Sequence, residues 1–135
     1  MSGSLPQIRV RSRTRTEMVD ITAEVRERVQ QSGVQSGVCH LFVLHTTAAL
    51  TINEGADPSV QSDMIRFLNR TIPKEYGFSH SEGNSDAHIK ASLVGAGVTL
   101  LVEGGQPVLG TWQAVYLCEF DGPRQRQVAL KVLAG

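Results

Sequence analysis

Val38-Cys39-His40-Leu41-Phe42-Val43-Leu44-His45-Thr46-Thr47-Ala48-Ala49-Leu50-Thr51-Ile52 is the stretch on which the architecture turns. Two apolar, β-rich runs flank a polar His-Thr-Thr break, so the segment reads as two strands or one long bent strand. On a period of two, His40, Phe42 and Leu44 share one face. Leu41, Val43 and His45 share the other, which makes His45 the end of a core-facing row.

Before this stretch, Gln7 to Thr14 alternates Ile8 and Val10 with Arg9, Arg11 and Arg13, the pattern of a half-buried strand with a wet arginine face. A helix follows, with Thr22 as its cap, Ile21, Val25 and Val29 recurring every four residues, and Ser32-Gly33 as its end. After the central stretch, Asp57-Pro58 opens a second helix, since proline suits the first turn and aspartate caps it. Val60, Met64, Phe67 and Leu68 form its apolar face, and Pro73 stops it. Lys74 to Asn84 lacks periodicity and reads as a loop of about eleven residues, a length often associated with function. Asn84 or Ser85 then caps a third helix through about Leu93. Val98 to Val102, Gly110 to Phe120 and Val128 to Leu133 read as strands, joined by Gly104-Gly105 and Asp121-Gly122-Pro123 turns. The expectation is a single α+β domain over residues 1–135, an extensive, largely antiparallel sheet or sandwich with about three helices.

The chain has 135 residues, enough for an ordinary core without a disulfide or metal staple. Thirteen lysines and arginines balance thirteen aspartates and glutamates, and aromatic residues make up 5%. There is neither a general electrostatic pull toward nucleic acid nor a set of stacking platforms for bases, so no nucleic-acid partner is expected. No run approaches the roughly 20 apolar residues of a membrane span and no apolar leader precedes the first strand, which predicts a cytoplasmic protein with no membrane partner. Cys39 and Cys118 sit in apolar runs without ligand spacing and read as small core residues. A nucleophile elbow, a P-loop, a Rossmann glycine fingerprint and a zincin helix are all missing, which removes several common enzyme classes.

Three polar segments can carry chemistry. His45, Thr46 and Thr47, with Glu54 and Asp57 about a dozen residues on, supply a base, hydroxyl donors and carboxylates. His80-Ser81-Glu82-Gly83-Asn84-Ser85-Asp86-Ala87-His88 places two histidines at the start of a helix, whose free amides suit an anion. Gln113, Glu119 and Asp121 share strand parity, Arg124 can clamp a phosphate, and Trp112 on the opposite parity reads as a core anchor. Each segment also has a plain structural reading: a satisfied strand-end histidine, a solvated loop and an ordinary turn.

Together His45-Thr46-Thr47-Ala48-Ala49-Leu50-Thr51-Ile52-Asn53-Glu54, Asp57-Pro58, Asn84-Ser85-Asp86-Ala87-His88, Leu109-Gly110-Thr111-Trp112-Gln113 and Glu119-Phe120-Asp121-Gly122-Pro123-Arg124 closely resemble the YjbQ family, over nearly the whole chain. The resemblance implies an α+β fold, a homotrimer with the motif residues near subunit boundaries, and a secondary thiamine-phosphate synthase activity. In that reaction hydroxymethylpyrimidine diphosphate alkylates a thiazole phosphate and pyrophosphate leaves. The expected site then has His45, His80, His88, Glu54 and Asp57 as catalytic residues, and Thr46, Thr47, Asn84, Gln113 and Arg124 as contacts to a phosphorylated small molecule. Magnesium held by carboxylates among Glu54, Asp57 and Asp86 is the cofactor expected for diphosphate chemistry. Two alternatives stand beside this: a metal-binding protein or metal-dependent hydrolase, with zinc or a similar ion on His45, His80 and His88 with Glu54 or Glu119, and a non-catalytic trimeric ligand-binding module.

Overall fold

The computed structural model describes residues 5–135; residues 1–4 of the expected domain lie outside them. The central stretch is two strands that belong to different sheets. Strand β3 (Ser36–Val43) lies inside a five-stranded sheet and β4 (Ala48–Glu54) inside a three-stranded one, with Leu44 to Thr47 making the corner between them. The first sheet runs β1-β8-β3-β5-β6, with β1 at Gln7–Arg11, β5 at Gly97–Glu103, β6 at Gln106–Pro107 and β8 at Gln125–Ala134. The second runs β2-β7-β4, with β2 at Glu17–Asp20 and β7 at Gln113–Glu119. Every pairing is antiparallel.

Side-chain patterning explains why the strands separate this way. In β3, Cys39, Leu41 and Val43 are buried while His40 and Phe42 are exposed, so the five-stranded sheet has one dry and one wet face. In β7 the whole run from Ala114 to Phe120 is buried, which requires cover on both sides. Val115 and Leu117 join the main core against Leu41, Val43, Leu100 and Val128, while Cys118 and Phe120 face a second cluster with Ala49, Ala87 and Ala91. The molecule is thus layered as sheet, sheet and helix, with the three-stranded sheet in the middle.

Helix α1 (Thr22–Ser32) buries Ile21, Val25 and Val29 as expected and ends at Gly33, whose φ of 74° is the left-handed turn that glycine favours. Thr22, however, does not cap it. Its hydroxyl accepts the amide of Val115 at 2.9 Å, and the Thr22 amide is held by Asp20 Oδ1 instead. Helix α2 (Pro58–Thr71) starts on the expected Asp57 cap, whose side chain accepts from the Ser59 amide. Val60, Met64 and Leu68 are half-buried, but Phe67 is 67% exposed, because the helix only skirts the protein and has no fully buried residue. Helix α3 (Ser85–Val94) begins after Asn84, whose side chain makes no capping bond.

Two short strands, β2 and β6, escape the sequence reading; each is too brief for its alternation to show. Strand β7 begins at Gln113 rather than Gly110, and Trp112 is 65% exposed, so it does not anchor the core. No helix is long and apolar enough to cross a membrane among the described residues.

Candidate functional site

The corner between β3 and β4 is fixed by β8. The Leu44 amide donates to the carbonyl of Gln127, and the Gln127 amide donates back to His45 Nε2 at 2.9 Å. Because Nε2 accepts, the neutral ring carries its proton on Nδ1. Burial lowers the His45 pKa from its ordinary 6.5, and Arg126 and Arg124 lower it further against an opposing pull from Glu119. His45 is therefore a neutral imidazole at physiological pH that offers an N–H donor.

Thr47 and Glu119 belong to the scaffold beneath the corner. Thr47 is buried, and both its hydroxyl and its carbonyl accept from Arg126 Nη2, at 2.8 and 3.2 Å. Glu119 is 0% exposed and accepts from Ser12 Oγ at 2.6 Å, Arg126 Nε at 2.8 Å, the Asp121 amide at 2.9 Å and Arg126 Nη2. Burial alone would raise its pKa, but Arg126 and Ser12 outweigh that and hold it below 4.5. With both oxygens occupied by donors, Glu119 has no lone pair to spare for a metal, and that expectation is corrected.

Helix α3 delivers the second histidine. Its small residues Ala87 and Ala91 pack on Ala49, and its C-terminal end is tied across the corner, the Leu50 amide donating to Gly95 O at 3.1 Å and the Val43 amide to Ala96 O at 2.8 Å. His45 and His88 consequently line one open cleft of about 460 Å³ with Thr46 and Ser92 on its walls and Ala48, Ala91, Gly95 and Ala96 completing it. His80 stands outside this lining but meets the His88 ring edge-on, the centroids 5.7 Å apart and the planes at 83°. His88 thus shares a cleft with His45 and a ring contact with His80.

The turn after β7 closes the group. Asn84 Nδ2 donates to Asp121 Oδ2 at 2.8 Å, and Arg124 Nη2 donates to the same oxygen at 3.2 Å. Asn84 Oδ1 is buried and has no hydrogen-bond partner among the described residues, a state that costs about 1–3 kcal/mol unless a ligand or water donates to it. Asp86, in the first turn of α3, is fully buried and grips Arg15 through both oxygens, at 3.1 and 2.9 Å, and Lys90 at 2.9 Å. Burial would raise its pKa, but those two cations hold it below 3.8. It anchors the helix and complements its dipole, which leaves it no free oxygen for magnesium.

Glu54, Asp57 and Gln113 lie elsewhere. The β4/β7 register sets Ala48 opposite Glu119 at the histidine end and Glu54 opposite Gln113 at the other, six residues along, or about 20 Å. Glu54 Oε2 accepts the amides of Ala56 and Asp57, Asp57 caps α2, and Gln113 Oε1 accepts the amide of Gly110. Within one chain these residues brace their own loops rather than join the histidines. Among the described residues no three His, Cys, Asp or Glu side chains are grouped to hold a metal. The chemistry of His45 agrees: a metal on Nδ1 of a neutral ring moves the proton to Nε2, where the Gln127 amide already points its own hydrogen. The zinc set expected on His45, His80, His88 and Glu119 is therefore not assembled among the described residues of one chain, and Thr46 and Ser92 are the polar residues beside His45 and His88 in the cleft.

Arg126, Ser12, Arg15 and Lys90 were missed. Only Arg126 left a trace in the sequence: it follows Glu119 by seven residues, across the Asp-Gly-Pro turn, in a position where a returning strand brings the two together.

Residues 6–135 match the family described as UPF0047 protein YjbQ-like. A UPF0047 protein of Methanocaldococcus jannaschii is 49% identical over 92% of this chain and 90% of its own length. The YugU protein of Bacillus subtilis is 45% identical over 96% and 98%. Among solved structures, a YjbQ/UPF0047 family protein of Clostridium acetobutylicum superposes with a TM-score of 0.93 at 43% identity, covering 96% of this chain and all of that one. A YbjQ-like protein of Sulfolobus solfataricus, described as of unknown function, gives 0.92 at 32% identity, covering 98% and 97%. The chain belongs to the YjbQ-like UPF0047 family.

Proposed function

We propose that the protein is an enzyme acting on phosphorylated small molecules, a thiamine-phosphate synthase that joins hydroxymethylpyrimidine diphosphate to thiazole phosphate. The observation that carries this reading is the shared cleft of His45 and His88, with the Arg124 turn tied by Asp121 to the residue that opens α3.

The chemistry asked of such a site is modest. The thiazole nitrogen donates its lone pair to the pyrimidine methylene carbon, the carbon–oxygen bond to the diphosphate breaks, and the electron pair leaves with pyrophosphate. The attacking nitrogen carries no proton, so no general base is needed. What lowers the barrier is stabilisation of charge on the leaving oxygen, by donors that are already in place. His45 supplies a neutral N–H, His88 a second ring in the same cleft, and Arg124 a fixed cation.

Purified protein given both precursors is expected to form thiamine phosphate, and His45→Ala or His88→Ala to lower the rate about 100-fold, as loss of one preorganised donor does. Wild-type protein that yields no product defeats the named activity; tight binding of both precursors without turnover points to the non-catalytic module instead.

Self-association as a homotrimer is part of the same proposal. Val38 pairs with Leu101 on one side and Leu133 on the other, and Leu101, Leu133 and Phe42 are 62%, 43% and 55% exposed on the outer face of the five-stranded sheet. The cross-strand apolar row Leu101, Val38 and Leu133 is what a subunit interface covers. A cytoplasmic setting accords with Cys39 and Cys118, which are both free and buried.

A further inference from the structure

We propose that the arginine groove beside the histidine cleft is a subsite for a diphosphate group. It rests on the reading above, in which a diphosphate is the leaving group, and assigns that group a place. The groove encloses about 440 Å³ between the end of β1 and the 121–124 turn and is lined by Arg11, Ser12, Arg13, Pro123 and Arg124.

Its walls are fixed to each other. The Ser12 amide donates to Arg124 O at 3.0 Å, and the Arg124 amide donates to Ser12 Oγ at 2.9 Å, so the two chain segments run stapled side by side. Strand parity buries Ser12 and turns Arg11 and Arg13 outward together. Arg124 is oriented by the turn itself, Nε donating to Asp121 O at 2.8 Å and Nη2 to Asp121 Oδ2 at 3.2 Å, which leaves its remaining N–H groups free.

The charge is only partly compensated. Asp121 pairs with Arg124, but neither Arg11 nor Arg13 has a carboxylate within ion-pair distance among the described residues. Glu17 Oε2 accepts the amides of Arg13 and Thr14, which places a second carboxylate beside the groove without an ion pair to either guanidinium. The residues opposite Arg9 and Arg11 on β8 are Gln127 and Gln125, where a merely structural arginine strand would gain from acids. Three guanidinium groups around one concavity, against the carboxylates of Asp121 and Glu17, suit an anion with several oxygens that can accept bidentate forks from more than one side. A single phosphate has fewer; a diphosphate spans the set. The segment from Arg124 to Gln127, about 10 Å of strand, leads from this groove to the amide that holds His45.

The test is calorimetric titration of the full-length protein with inorganic pyrophosphate at low ionic strength, with inorganic phosphate for comparison. Wild-type protein should bind pyrophosphate more tightly than phosphate. Arg11→Gln with Arg13→Gln should weaken pyrophosphate binding about a hundredfold, roughly tenfold for each charged donor lost. Arg9→Gln, outside the groove, should stay within about twofold of wild type, well under one such donor. No pyrophosphate binding, an unchanged double variant, or an equal loss in Arg9→Gln overturns the subsite. Pyrophosphate binding with no thiamine phosphate formed upholds the groove and removes the proposed reaction. Product formed without measurable pyrophosphate affinity does the reverse.

Discussion

At the scale of single residues, the buried ion pair Arg126–Glu119 decides how the corner is built. Arg126 is 1% exposed and Glu119 0%, so removing one partner strands the other. Arg126→Met should cost about 3–5 kcal/mol in chemical denaturation, while Arg126→Met with Glu119→Leu should recover much of it. The pH dependence follows from the same groups. Glu119 and Asp86 have pKa values below 4.5 and 3.8, so the stability they contribute is present above those values and is lost as pH falls through their lower folded-state pKa. His45 is depressed below 6.5, so the unfolded chain binds its proton first and stability declines as pH drops below that value. Melting temperature across pH should therefore fall in two stages, and His45→Gln should remove only the upper one. Little of this was legible beforehand: Glu119 stood out as a polar residue in an apolar strand and Arg126 lay seven residues on across a turn, but nothing local named Ser12, whose contact spans 107 residues.

At the scale of elements, alternation was readable where a strand has one wet face and misleading where it has none. Strand β3 shows its core row in sequence, and that row ends at the corner holding His45. Strand β7 is covered on both faces, so parity could not say which neighbours its residues meet, and Trp112 looked internal although the strand had not yet begun. Caps failed for a related reason: Thr22 and Asn84 carry the right side chains but spend them on β7 and Asp121. Helix α3 was placed correctly, yet its approach to β4 depends on Ala87 and Ala91 meeting Ala49. Ala91→Leu should overpack that contact, costing about 1–3 kcal/mol, and should move His88 away from His45. Thermal melting reads the first effect and the His88 imidazole resonance the second.

At the scale of the whole molecule, the motifs that looked like one site in sequence sit at two ends of the three-stranded sheet. The histidines, Asn84 and Arg124 gather at one end, and Glu54, Asp57 and Gln113 at the other. A sequence order of motifs carries no such distance, since residues six apart along a strand are already about 20 Å away. On the proposed trimer, the Val38, Leu101 and Leu133 row is covered, so Leu101→Lys should shift the species seen in sedimentation from trimer to monomer. A chain already monomeric before that substitution contradicts the proposed assembly. The central claim, that His45 and His88 serve one ligand site, is tested most directly by histidine-labelled NMR during titration with hydroxymethylpyrimidine diphosphate. The account predicts that the His45 and His88 rings shift together along one saturation curve while His40, bonded to Thr99 on the outer sheet face, stays still. Shifts at only one of the two, or at different saturation points, would contradict it.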